Sequence, residues 1–281
     1  MKFLRFGDPG AERPGLLDGD GRVRDLGGVV ADFAGPTVST DALSELAAID
    51  PADLPLVEAP GRIGACLAHV PNFFCIGLNY AKHAAEAGQD APAEPIVFSK
   101  AASALAGPDD PVTIPAGSEK TDWEVELGVV IGREAYRVNT AEALAHVAGY
   151  CVVNDLSERS YQLDRGGQWI KGKSAPGFGP VGPWLVTADA VPDPQALGLS
   201  LRLNGEVVQE STTADMIFSV AEIVSHLSEF MVLQPGDVIA TGTPSGVGMG
   251  MRPQRFLRPG DVMELTVEGL GTQRQEARAA P

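Results

Sequence analysis

The stretch Trp123-Glu124-Val125-Glu126-Leu127-Gly128-Val129-Val130-Ile131-Gly132 reads as one apolar β-strand with two carboxylates written into it. Successive side chains of a strand point to opposite faces, so Glu124 and Glu126 share one face while Trp123, Val125 and Leu127 take the other. The continuation Gly-Val-Val-Ile-Gly offers no polar face, which places the strand inside a sheet. Two like charges about 6 to 7 Å apart along a buried strand are costly unless a cation neutralises them. Magnesium or manganese would do so. The pair alone leaves open an exposed edge strand with solvated glutamates.

Similar short apolar runs, bounded by Gly, Pro and Asp, recur from Phe73 onward: FFCIGL, PIVFSK, GYCVVND, PWLVT, LSLRLN, DVIATG and VMELTV. From there on helical signals are few: the segment after Asn79, TAEALAHVAG after Asn139 and SVAEIVSHLSEFM. With 33 glycines and 22 prolines the chain is dense in turns. Strands and helices do not alternate regularly, which argues against a doubly wound sheet. The expected fold class is mainly β with a few helices, α+β. Residues 1–68 read as a small N-terminal domain, with strands in KFLRFG and RVRDLGGVV, a weak helix in DALSELAAID and a proline-rich passage through Pro51, Pro55 and Pro60. A larger domain spans 69–281.

A formal charge of −16 repels phosphate backbones and anionic membranes, so nucleic acid and lipid surfaces are poor partners. No apolar run approaches the roughly 18 residues of a membrane span, and the opening MKFLRFGDPG lacks the apolar stretch of a signal peptide. The expected location is the cytoplasm. Cys66, Cys75 and Cys151 form no CxxC pair and no even disulfide set, which suits a reducing compartment.

A third carboxylate, Asp155, ends the apolar run GYCVVND, where a side chain can turn into a cleft at the sheet edge. Three oxygen donors suit a hard divalent cation, and the lack of a Cys or His cluster disfavours zinc. In GLNYAKHAAE, Asn79 can cap a helix that puts His83 and Glu86 on one face, three residues apart. Such a pair can deprotonate water, the carboxylate raising imidazole basicity. It also describes an ordinary surface helix. Behind Asp155 come Arg159, Gln162, Lys171 and Lys173; the three cations among them suit an anionic substrate, although lysines are more often solvated. The Gly-rich run from Asp237 to Gly250 could offer backbone amides to a carboxylate or be a plain turn. It is neither a Walker loop nor GxGxxG, so nucleotide binding lacks its context.

Taken in order, IGLNYAKHAAE, PIVFSKAASAL, DWEVELGVVIG, VVNDLSERSYQ, KGKS and DVIATGTPSGVG resemble the fumarylacetoacetate hydrolase family over about residues 70 to 268. Six motifs in register are far more specific than any one of them. Residues 1–68 are similar to the small accessory domain of bacterial members. The resemblance implies a fold of mixed β-sandwich rolls, often a homodimer, with Mg2+ or Mn2+ held by Glu124, Glu126 and Asp155. It implies a water-activating dyad of His83 and Glu86. It implies that Lys100, Gln162 and Lys173 contact substrate or stabilise a developing enolate, with Tyr80, Arg159 and Thr243 at substrate-binding positions. The reaction implied is cleavage of the C3–C4 bond of a small anionic 2,4-diketo acid to pyruvate and a carboxylic acid. Isomerisation or decarboxylation of an oxo acid through the same enolate is the alternative within the family. The whole chain is most similar to bacterial 2,4-diketo-3-deoxy-L-fuconate and L-rhamnonate hydrolases, with relatives named ureidoglycolate lyase, which implies a deoxy sugar acid as substrate. One departure is Pro176 in KSAPGFGP, where many members have Asp.

Overall fold

A computed structural model describes residues 1–281. Along the chain run β1 (Lys2–Phe6), β2 (Arg13–Leu17), β3 (Val23–Asp25), α1 (Thr40–Ala47), β4 (Phe73–Gly77), α2 (Ala81–Glu86), β5 (Ile96–Lys100), β6 (Leu105–Ala106), β7 (Val112–Ile114), β8 (Thr121–Asp122) and β9 (Val125–Ile131). Then follow α3 (Thr140–Ala143), β10 (Val147–Asn154), β11 (Ser157–Glu158), α4 (Arg159–Leu163), α5 (Ile170–Lys173), β12 (Gly179–Thr187), β13 (Gly198–Leu203), β14 (Glu206–Thr212), α6 (Val220–Phe230), β15 (Val238–Ala240), β16 (Val262–Val267) and β17 (Gly271–Ala279). The fold is mainly β, as the sequence predicts.

One large sheet has the order β3-β2-β1-β12-β10-β9-β15-β4-β5, with β6 beside β12. A five-stranded sheet, β14-β13-β16-β17-β7, packs on one of its faces. β9 lies between β10 and β15, and every residue of it is buried. Its alternation serves two cores: Leu127, Val129 and Ile131 join the cluster between the sheets, and Val130 joins the cluster on the opposite face. That second cluster brings Phe3, Leu16, Phe33 and Leu43 from residues 1–68 against Phe73, Val153, Val181 and Val238. Each such aliphatic or aromatic side chain stabilises the fold by about 1.5–3 kcal/mol relative to exposure. The strand bearing the carboxylates is therefore clamped from both sides.

Local chemistry sets the helices. Ser219 and Glu222 form a capping box at the start of α6, and Asn139 caps α3. The expectation that Asn79 caps the next helix is corrected. Tyr80 occupies the cap position of α2 without a side-chain bond. The Asn79 amide instead donates to the Thr241 and Phe218 carbonyls (2.8 and 3.0 Å) and accepts from the Phe218 amide (2.8 Å). A buried Asn with both ends satisfied pins β4 to β15, which is worth more than one exposed cap. No helix is long and apolar enough to cross a membrane.

Candidate active site

Antiparallel pairing of β9 with β10 puts Glu126 opposite Val153, and the Asp155 amide donates to the Glu124 carbonyl at 3.0 Å. One oxygen from each of Glu124, Glu126 and Asp155 lies within 4.8 Å of the others. All three residues are buried. Lys173 Nζ lies 2.6 Å from Glu124 Oε2 and 2.6 Å from Asp155 Oδ2, and Lys100 Nζ pairs with Asp155 Oδ1 and donates to the Leu156 carbonyl at 3.0 Å. Arg159 reaches Glu124 Oε1 at 2.7 Å.

These contacts divide the carboxylates unequally. Burial alone would raise the Glu124 carboxyl, but the Lys173 ammonium and the Arg159 guanidinium hold it well below the usual range. Burial would also disfavour charge on Lys173, yet Asp155 and Glu124 keep its ammonium firmly protonated. Glu126 forms no ion pair, and the Lys173 charge does not offset its like-charged neighbours. It accepts from the Gly242 amide at 2.8 Å, while burial and the charges of Asp155 and Glu124 push its carboxyl well above the usual range. A dry set of hard oxygen donors with one carboxylate left uncompensated fits a divalent cation such as magnesium or manganese.

His83 is buried on α2, and its Nδ1 lies 3.3 Å from Glu86 Oε2. The spacing of three residues brings them together, as predicted. The Gly246 amide donates to both Glu86 oxygens at 3.1 Å. Nearby, a Cβ on Gly250 would lie 2.1 Å from the Glu86 carboxyl carbon, so only glycine lets the loop approach. Two further amides of the loop act in the same way: Gly248 and Met249 donate to Asp122 at 2.7 and 3.0 Å. Four amides of this loop, those of Gly242, Gly246, Gly248 and Met249, thus hold Glu126, Glu86 and Asp122 of the chain itself.

A cavity of about 400 Å³ is lined by Glu124, Glu126, His83 and Lys173, with Arg159, Gln162 and Thr243. Gln162 Oε1 accepts from Arg159 Nη1 at 3.0 Å, which leaves its NH2 group free to donate to a ligand. The Thr243 hydroxyl donates to the Val125 carbonyl (3.0 Å) and accepts from Gln209 (2.8 Å), so giving its proton to a carboxylate requires leaving Val125. Lys100 and Asp155 lie at the metal-ligand cluster without lining the cavity. Tyr80 lies elsewhere: its buried hydroxyl has no partner, and it lines a separate cavity of about 150 Å³ beside Lys82 and Glu210. Of the two lysines, Lys173 enters the site, whereas Lys171 is exposed and donates to the Arg165 carbonyl.

The sequence reading missed Asp122, Phe98 and Trp169. Asp122 is fully buried and accepts from Arg159 Nε at 2.8 Å. Its signal was its place immediately before Trp123-Glu124. Phe98 and Trp169 meet at 5.1 Å on the cavity wall, with the Lys173 ammonium 5.0 Å from the Phe98 ring centre. Aromatic residues alone gave no such indication.

Comparison with known proteins agrees with this fold. A Burkholderia lata protein whose provisional name is hydrolase is 58% identical over all of both chains. A 5-carboxymethyl-2-hydroxymuconate delta-isomerase from Mycobacterium smegmatis superposes with a TM-score of 0.79 at 32% identity, covering all of both chains. Maleylpyruvate hydrolase from Sphingobium sp. SYK-6, solved with manganese(II) and pyruvate, superposes with a TM-score of 0.82 at 26% identity, again over all of both chains. The family model for the fumarylacetoacetate hydrolase C-terminal region matches residues 72–278, and the chain therefore belongs to the fumarylacetoacetate hydrolase family.

Proposed function

We propose that this enzyme hydrolyses the C3–C4 bond of a 2,4-diketo acid to pyruvate and a carboxylic acid, using Mg2+ or Mn2+ at Glu124, Glu126 and Asp155. The observation that supports it best is one cavity lined by Glu124 and Glu126 of the buried carboxylate cluster and by His83, itself paired with Glu86. Bound there, the metal would bind and polarise the 2-oxo acid end of the substrate. With Nδ1 held by Glu86, His83 keeps Nε2 to take a proton from water, whose oxygen adds to C4. The C3–C4 electron pair then passes to the pyruvate fragment as its enolate, and a proton returned to C3 completes pyruvate. The ammonium groups of Lys173 and Lys100 oppose the negative charge that develops on that fragment, and the Gln162 amide orients the substrate. The homodimer and cytoplasmic location implied by the family resemblance belong to this same reading.

The likeness to a delta-isomerase favours a second reading, in which the same site moves a proton within a hydroxy-diene dicarboxylate without adding water. Pyruvate release from acylpyruvates, measured with magnesium, with manganese and with chelator, separates the two. Release that stops with chelator and in Glu126→Ala supports the hydrolase. An ultraviolet change on a hydroxy-diene dicarboxylate, with no pyruvate from any acylpyruvate, would sink it in favour of the isomerase.

A further inference from the structure

Beyond its charged and hydrogen-bonding groups the cavity lining changes character. Its wall there is Ile76, Ile96, Phe98, Leu163, Trp169 and Met249. The Phe98 and Trp169 rings meet edge on at 65°, a favourable aromatic arrangement. Trp169 is also seated over β4, because a Cβ on Gly77 would lie 2.6 Å from its Cζ3. Apart from the groups already placed at the carboxylate end, Gln89 and the Trp169 indole N–H are the only polar side-chain groups on the lining, and Gln89 is exposed.

We infer that this wall receives the acyl end of the diketo acid and selects an alkyl or aryl group over a polyhydroxylated chain, with Phe98 and Trp169 as the selecting residues. The inference rests on the hydrolase reading for its substrate, and it departs from the deoxy sugar acid that family resemblance implies. Several hydroxyls on a sugar-derived acyl group would lose water against Ile, Phe and Trp without finding partners, each at a cost of about tenfold in binding. A methylene in the same place gains about fourfold. A volume near 400 Å³ lies in the range of small-molecule sites, enough for a pyruvate unit with a short alkyl or phenyl group.

Two series test the inference and keep it apart from the reaction. The first measures binding by calorimetry, at fixed manganese, of 2-oxo acids from 2-oxobutanoate to 2-oxooctanoate and of 2-oxogluconate; these need no cleavage. Affinity should rise about fourfold per methylene until the wall is covered, with 2-oxogluconate weakest, and Trp169→Ala and Phe98→Ala should each flatten the rise. The second measures pyruvate release from acetyl-, hexanoyl- and benzoylpyruvate and from 2,4-diketo-3-deoxy-L-fuconate. Chain-length dependence in binding without pyruvate release would uphold the apolar wall and reject the hydrolase. Wild-type affinities independent of chain length, or faster turnover of the fuconate than of every acylpyruvate, would overturn the wall while leaving hydrolysis intact.

Discussion

Glu126 and Asp122 are both buried acids of one site, yet their surroundings are opposite. Asp122 accepts from the Trp123, Gly248 and Met249 amides and from Arg159, whereas Glu126 has one amide and two like charges beside it. Glu126→Gln should therefore leave the metal-free protein as stable as the wild type or more so. Manganese at a hundredfold excess over its Kd should stabilise the wild type by about 2.7 kcal/mol and the variant hardly at all, as read by thermal unfolding with and without metal. A metal response equal in both proteins would remove Glu126 from the ligand set. Asp122→Asn should behave in the other sense, costing about 3 kcal/mol in urea unfolding because it strips a buried guanidinium of a partner. Breaking the exposed Arg255–Glu206 pair with Arg255→Met should cost less than about 1 kcal/mol. Equal losses would show that Asp122 is no more than a surface-like pair. The Glu-x-Glu spacing was legible because strand geometry alone puts both acids on one face. Asp122 was not, since its partners Arg159 and Gly248 lie 37 and 126 residues away.

At the scale of elements, the same distinction governs which strands the sequence revealed. The apolar runs around β4, β9, β10 and β16 could be read directly, but β17 was missed because its inward positions include Gln273 and Gln275. These amides are buried by bonding groups of the facing sheet: Gln273 Nε2 donates to the Val152 carbonyl at 2.8 Å, and Gln275 Oε1 accepts from the Asn154 side-chain amide at 3.0 Å. Polar residues can fill core positions when every group finds a partner, and hydropathy cannot register that. A second long-range tie joins the segment before β2 to the loop before β7. Arg62 bonds Glu12 at 2.8 Å and Asp110 at 2.6 Å. Burial would raise both carboxyls, but the Arg62 hydrogen bonds outweigh it and hold both below their ordinary values. A carboxyl lowered in the folded state stabilises above its ordinary value and loses that contribution as pH falls through its lowered one. Arg62→Met should thus cost about 1 kcal/mol at pH 7 and progressively less toward pH 3, as measured by urea unfolding across that range. A loss that stays constant with pH would refute the charge-based account and leave only packing.

For the molecule as a whole, the composition showed a turn-rich, mainly β chain, but not how its parts share a core. Residues 1–68 were expected as an accessory domain, and in the fold β1 pairs with β12 so that β3-β2-β1 extend the large sheet. Phe3 and Leu16 extend the face of that sheet formed by Phe73, Val130, Val181 and Val238, and Phe33 and Leu46 pack over it. No pattern within either segment encodes this, because each apolar face is satisfied by residues far away in sequence. The face covered is the one to which Glu124 and Glu126 also point, since Val130 shares their alternation on the strand. We therefore expect the whole chain to unfold in one cooperative transition, with calorimetric and van't Hoff enthalpies in agreement. A fragment of residues 69–281 would expose this apolar face, and it should aggregate or bind a hydrophobic dye and lose divalent-metal affinity. Two separate transitions in the whole chain, or a fragment that binds manganese as tightly as the intact protein, would show instead that the carboxylate site stands on residues 69–281 alone.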